Sequence, residues 1–362
     1  MLSYILRRLL LLFPTLIGIT IVTFCAMALS PGGIKGVIEA HEGTVDPRAR
    51  VAIREFLTKK YGLDKPLPVQ YLMWLNKVSP VGRKSAGTGF PEAWPVGFKV
   101  PDMGESIESR RPVLDLIAES LPTTLLLQAI SLPIMLSISM LSGISAAKNR
   151  GGIADIGGGS ILLGLWSVPQ IWAGVLLVGF LANKEYLHMF PASGLHDLRA
   201  DEMNFLPVFY PVFSRGWLLD ALWHLVLPIV TLTYASFAFT SKLTRGSMLE
   251  NISADYVRTA RAKGVSSNAV LYRHVFRNAL LPLITYCGLL IPSLIGGSII
   301  VEKLFDIPGM GKLDVDAVFN KDRELVLSTT LVASLLGLIS FLIADIAYAI
   351  ADPRVSFEGN AS

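Results

Sequence analysis

Apolar and polar positions fall into long alternating blocks along this chain. Apolar runs cover Leu9–Leu29, Leu121–Ala147, Ile153–Ala182, Asp220–Leu243, Ala279–Val301 and Val326–Ile350. A helix needs about 20 predominantly apolar residues to cross a bilayer, so the pattern predicts six transmembrane helices. Pro14, Pro133 and Pro169 lie inside the runs. Proline is tolerated there when neighbouring helices or waters satisfy the freed backbone carbonyls. Ala26-Met27-Ala28 has the look of a signal cleavage site, but the preceding run is longer than a usual signal core. The expectation is therefore an uncleaved first span.

The polar blocks differ in length. Ser30–Glu119 is long and rich in Gly and Pro. Within it Arg48–Lys60 reads as an exposed helix, Tyr61–Leu67 as a break, and Val69–Val78 as a second helix with Tyr71, Trp74 and Leu75 on one side. Ser79–Val100 reads as a loop insert. Asn183–Leu219 and Glu302–Leu325 are two further polar excursions. The division that follows is a first span (1–29), an extracytoplasmic segment (30–119), a five-helix core (120–350) with a polar loop at 246–278, and a tail (351–362). The glycine run Gly157-Gly158-Gly159 suits close packing against another helix. It lacks the Gly-Lys-Ser/Thr ending of a phosphate loop.

The polar stretch between the fourth and fifth runs has the most internal structure. Ser253 is placed to cap a helix from Asp255, because its hydroxyl can accept from a first-turn amide. Arg261 and Lys263 fall in the last turn, where cations complement the helix dipole. Gly264 supplies the left-handed residue that ends a helix. Ser266 or Ser267 can cap a second helix whose apolar side holds Val270, Leu271 and Val275 at helical spacing. A polar surface of this kind at the end of a membrane bundle is suited to docking a partner.

Composition narrows the class. The 362 residues are 52% hydrophobic and 17% charged, with a mean hydropathy of +0.54, too apolar for an ordinary soluble fold. The cations flank the spans instead of lining one face, which argues against nucleic acid. Lys148, Arg150, Lys242, Arg245, Arg258, Arg261, Lys263, Arg273 and Arg277 fall on one side of a six-span arrangement, together with Arg7, Arg8 and Arg354. The positive-inside rule makes that side, and both termini, cytoplasmic. Cys25 and Cys287 lie in apolar runs and read as small buried hydrophobes, with no disulfide or metal site. His224 reads as a packing or interfacial histidine and Trp223 as a boundary residue. Asp345, near the cytoplasmic end of the last run, is placed to reach interfacial water or a partner helix. An intramembrane enzyme finds no support: there is no His-Glu-x-x-His, Gly-x-Ser-x-Gly or Gly-x-Gly-Asp. A secondary carrier or channel would be expected to show inverted repeats and charged mid-span groups, which are not seen.

The pair Asp255-Tyr256, the core Thr259-Ala260-Arg261-Ala262-Lys263-Gly264 and the later Arg277-Asn278-Ala279-Leu280 resemble the cytoplasmic signature loop of ABC-importer permeases, in the dipeptide, oligopeptide and nickel branch. The generic loop has Glu-Ala-Ala where Arg258-Thr259-Ala260 stand here, and Pro282 comes later than in the generic form. Both departures are typical of the peptide branch. Leu187–Gly194, Trp223–Pro228 and Leu304–Gly311 resemble loops of the same family, and Phe357-Glu358-Gly359 resembles the ending of YejB-like peptide and microcin permeases. The resemblance implies an all-α, MetI-like six-span bundle of the type I importer class in a bacterial inner membrane. It implies a non-enzymatic transport subunit paired with a second homologous permease, two cytoplasmic ATPase subunits and an extracytoplasmic substrate-binding protein. The chain has no Walker A sequence, so ATP and Mg would be held by the ATPases. The resemblance makes Asp255 to Gly264, with His274, Arg277 and Asn278, the ATPase-coupling loop. Tyr256 and Val257 would then give apolar contact, Ala260 and Ala262 close approach, and Arg258, Arg261 and Lys263 pairing with acids of the ATPase or with lipid. Cargo by the same resemblance is a peptide or peptide conjugate.

Overall fold

The computed structural model describes residues 2–29, 51, 55, 58–59, 62–83, 96–208, 215–290 and 297–351. Among these, four helices are long and apolar enough to cross a bilayer: Leu9–Leu29, Val113–Lys148, Gly216–Ile252 and Arg323–Ile346. A bent pair, Ile153–Trp166 and Gln170–Ala182, makes a fifth candidate if it counts as one span. The expected fifth run is helical over Arg277–Leu290 and Ile299–Leu304, and 291–296 lie outside the described residues. Of the helix expected at Arg48–Lys60, the described residues Val51, Glu55, Thr58 and Lys59 are helical. The tail at 352–362 and its Phe357-Glu358-Gly359 also lie outside the described residues.

Several boundaries move. The second helix begins at Val113 rather than Leu121, and the fourth runs from Gly216 to Ile252, well past Leu243 and into the polar loop. Helical hydrogen bonding does not stop where hydropathy does. The third run is not straight: its halves meet at 90°. Pro169 has no N–H for the ladder and disfavours helical geometry at the residue before it. The break is tied to the fourth helix, with Tyr234 Oη donating to the Val168 carbonyl at 2.7 Å and Gln170 Nε2 to the Thr231 carbonyl at 3.0 Å. The glycine run was expected to pack against a helix, but a Cβ on Gly158 or Gly159 would meet nothing within 4 Å. Close approach occurs instead at Gly143, where a Cβ would lie 2.6 Å from the Ser241 carbonyl and from Thr244.

The chain divides into two compact units. The first takes the described residues within 121–312 and 337–351. One of its apolar clusters joins Leu127, Ala182, Leu225, Leu227, Val301, Phe305 and Ile307. Beside it the 1%-exposed Glu302 carboxylate is fully engaged. It accepts from Thr124 Oγ1 at 3.0 Å, from the Ser298 amide at 3.2 Å and from the Lys312 amide at 3.0 Å. Met310 N–H in turn donates to Thr124 Oγ1. A buried charge is tolerable only when paired or hydrogen-bonded in this way.

The second unit takes the described residues within 2–120 and 313–336. Phe24, Trp74, Val78 and Leu327 form its core, with Tyr71 and Leu75 packed on it, so the predicted apolar side of the 69–78 helix is used as expected. Asp322, Arg323 and Glu324 are all buried. Asp322 accepts from Ser106 Oγ at 2.6 Å and from the Ile107 amide at 2.8 Å. Arg323 lies over the Phe24 ring, and Glu324 accepts from Lys77 Nζ at 3.0 Å. Gly104 has φ +79, and a Cβ there would collide with the Glu324 carboxylate. The expected loop insert carries a short antiparallel pair, β1 (Val81–Arg83) with β2 (Val96–Phe98), while 84–95 lie outside the described residues.

The cysteines correct a further expectation. Cys25 is exposed and Cys287 half-buried. An apolar side chain on a membrane helix has no need of a protein interior when hydrocarbon surrounds it.

Candidate functional site

The loop at 246–278 is built on the end of the long fourth helix. Gly216–Ile252 ends at Ser253, whose hydroxyl donates to the Glu250 carbonyl at 2.8 Å. Ser253 therefore closes this helix and does not cap the next, as the sequence suggested. The next helix is Asp255–Ala262, with Ala254 in extended geometry at its N-cap and no side-chain cap. Asp255 in the first turn complements the dipole. Tyr256 Oη donates back to Asn251 Oδ1 at 2.7 Å, and Thr259 Oγ1 donates to the Asp255 carbonyl at 3.0 Å.

The C-terminal end is as the sequence predicts. Gly264 has φ +78. Its amide donates to the Arg261 carbonyl at 2.9 Å, and the Val265 amide donates to the Ala260 carbonyl at 3.2 Å. These two bonds satisfy orphan carbonyls of the last turn in the Schellman arrangement. Val265 also packs against the apolar cluster that holds Ala260.

The short helix has two faces. Val257 is fully buried and Ala260 nearly so. They pack into a cluster with Ile144, Ala147, Met248, Val270, Leu271, Val275 and Ala279. Burying Val257 is worth about 2 kcal/mol, enough to fix which side faces inward. The other face presents Asp255, Tyr256, Arg258, Thr259, Arg261, Ala262 and Lys263 to the outside. The expectation that Val257 and Ala260 contact a partner is therefore corrected: both are consumed in the chain's own core, and of the residues assigned to apolar or close contact only Tyr256 and Ala262 remain available. The Arg258 side chain is 76% exposed, and its 3.6 Å approach to Asp255 is a solvated contact of little energy.

The second limb continues from Ser267–Ala269 into a wide π-helical turn over Val270–Phe276 and then into Arg277–Leu290. Ser266 occupies the N-cap position without a side-chain bond. Val270, Leu271 and Val275 are buried as the spacing predicts. Arg273, Arg277 and Asn278 are exposed and His274 half-buried. Asn278 Nδ2 donates to the His274 carbonyl at 3.0 Å. Ser247 Oγ donates to the Ala279 carbonyl at 3.0 Å, so the long helix grips both limbs. Met248 and Ser247 were not singled out from sequence. Their signal lay in helical continuity past the end of the apolar run.

Elsewhere in the first unit, Asp220, His196 and His224 gather at the start of the fourth helix. His224 is buried and its Nδ1 donates to the Asp220 carbonyl at 2.9 Å, in keeping with a packing role. Trp223 stacks on Phe190 with ring centroids 4.5 Å apart. Asp345 is half-buried. Among the described residues no group of three His, Cys, Asp or Glu side chains is placed to hold a metal ion.

Comparison with known proteins accords with this architecture. Residues 139–357 match the family described as binding-protein-dependent transport system inner membrane component. Residues 1–128 match the N-terminal region of such membrane components. The chain is 38% identical over 359 residues to the oligopeptide transport system permease protein AppB of Bacillus subtilis, covering 99% of this chain and 100% of that one. It is 35% identical to the di/tripeptide transport system permease protein DppB of Pseudomonas aeruginosa, over 98% of this chain and 99% of the relative. The inner membrane ABC transporter permease protein YejB of Escherichia coli O157:H7 is 30% identical, with 99% of each chain covered.

Proposed function

The chain belongs to the family of binding-protein-dependent transport system inner membrane components, as a permease subunit of an ABC importer, and from that premise we propose that it passes peptides or peptide conjugates across a bacterial inner membrane. Peptide cargo follows from the names of the full-length relatives. In this reading the chain crosses the membrane six times, with the segment at 291–296 inside the fifth span, and both termini face the cytoplasm. A second homologous permease completes the pathway. Two ATPase subunits dock from the cytoplasm, and a binding protein delivers cargo from outside.

The observation that carries the reading is the two-faced helix Asp255–Ala262. One face is locked into the bundle through Val257 and Ala260. The other offers Tyr256, Arg258, Arg261 and Lys263 outward. A helix held this way cannot be displaced without moving Met248 and the fourth helix with it. Closure of the ATPases on ATP would then shift the bundle between two states, each favoured by a different ligand.

Isolation of the chain from its native membrane in mild detergent, with mass identification of what accompanies it, tests the assignment. The expected result is a second multi-span chain together with ATPase subunits. Recovery of the chain alone, or only with itself, would overturn it.

A further inference from the structure

We infer that the ion pair Asp155–Arg245 is the positioning contact that makes the third span move with the coupling helix. The inference rests on the coupling reading of Asp255–Gly264 given above. Arg245 lies on the fourth helix one turn before Met248, the fully buried residue on which Val257 and Ala260 pack. Its guanidinium meets Asp155 in a two-point contact, Nε to Oδ1 at 2.5 Å and Nη2 to Oδ2 at 2.8 Å. Oδ2 also accepts from the Gly151 amide at 2.9 Å, which ties the carboxylate to the turn leading into the third span. The Asp155 side chain is 9% exposed and that of Arg245 35%. Two parallel bonds fix orientation as well as distance, which a single lysine-type contact does not.

The first half of the third span runs close beside the fourth helix. Between the second, third and fourth helices here lies a cavity of about 290 Å³, bordered by Ser142, Gly159, Leu162, Ala238 and the ion pair itself. No residue of Ile153–Trp166 is fully buried, and a Cβ added at Gly158 or Gly159 would meet nothing within 4 Å. The charge pair adds to this a polar connection of fixed direction between the two helices at this end. The 90° break at Pro169 frees this half of the third span from its outer half. A push on the docking helix therefore passes through Met248 and Arg245 to Asp155.

The test uses the complete complex in liposomes, reading cargo uptake, ATP hydrolysis and subunit assembly for Asp155→Asn, Arg245→Gln, the double neutral variant Asp155→Asn/Arg245→Gln, and Arg245→Lys. The double variant leaves neither member of the pair charged without the other, so it decides even where a single variant fails to assemble. The expected result is an assembled double variant that still hydrolyses ATP on addition of the binding protein, but whose uptake per ATP falls at least about fivefold, with the Lys variant, which keeps the charge and loses the two-point geometry, falling between wild type and Arg245→Gln. A merely structural pair would lower assembly and hydrolysis together and leave that ratio unchanged. Wild-type uptake per ATP in the double variant, or a loss in Arg245→Lys as deep as in Arg245→Gln, would overturn the inference. Failure of the coupling reading shows separately, as Arg258→Gln/Arg261→Gln variants that keep full binding-protein-stimulated hydrolysis and uptake.

Discussion

At the scale of single residues, backbone geometry and burial do more than side-chain charge. Gly264 sits at φ +78 with open space where a Cβ would point, so the obstacle to substitution is conformational and not steric. Left-handed geometry costs an L-residue about 1–2 kcal/mol, and a β-branched one sits at the upper end. Gly264→Val is expected to loosen the Schellman end, raising hydrogen exchange at the Val265 amide about tenfold and weakening ATPase association, with the rest of the bundle unchanged. His196 supplies a pH prediction. Its ring lies on Trp217, with centroids 4.3 Å apart. Burial pushes its pKa below the ordinary value, and His224 adds to the lowering, while Asp220 and Asp201 oppose it. The lowered value means that the folded loop binds the proton less well than the loosened one. The His196 contribution is thus complete above a pH of about 6.5 and is lost as pH falls through the lowered folded value. Hydrogen exchange across 195–203 should speed up as pH falls from neutrality towards 5, after correction for intrinsic rates, and His196→Phe should flatten that response.

At the scale of elements, much was legible because the periodicities are strong. The apolar side of the 69–78 helix, the end at Gly264 and the buried set Val270, Leu271 and Val275 all follow from spacing and from the needs of a helix terminus. What escaped has physical reasons too. Ser253 looks like an N-cap, but the preceding helix runs further than hydropathy shows and claims it. The inward turn of Val257 and Ala260 depends on Met248, which only helical continuity beyond Leu243 could have placed there. The bent pair reads as one apolar run, because its break is made by a single proline and two side-chain bonds to the fourth helix. The buried anchors Glu302 and Asp322 look like ordinary loop acids, since donors from distant sequence, Thr124 Oγ1 for the first and Ser106 Oγ with the Ile107 amide for the second, complete their burial. The two faces of Asp255–Ala262 predict opposite phenotypes. Val257→Ala should remove about 1–2 kcal/mol of packing and lower the thermal midpoint of the purified complex. Arg258→Gln should leave that midpoint in place and weaken ATPase binding, with a stronger effect at low salt than at high.

At the scale of the whole molecule, the chain is a membrane component whose proposed driving force enters from partner subunits. No phosphate loop is present in the sequence, and the family is that of a transport-system membrane component. We propose that the outward face of Asp255–Ala262 is where an ATPase grips. A photo-crosslinking residue placed singly at 257, 258, 260 and 261 in the assembled, transport-competent complex reads this most directly. The account predicts ATPase adducts from positions 258 and 261, and adducts only within this chain from 257 and 260. A complex that still transports but gives no ATPase adduct from 258 or 261 would contradict it.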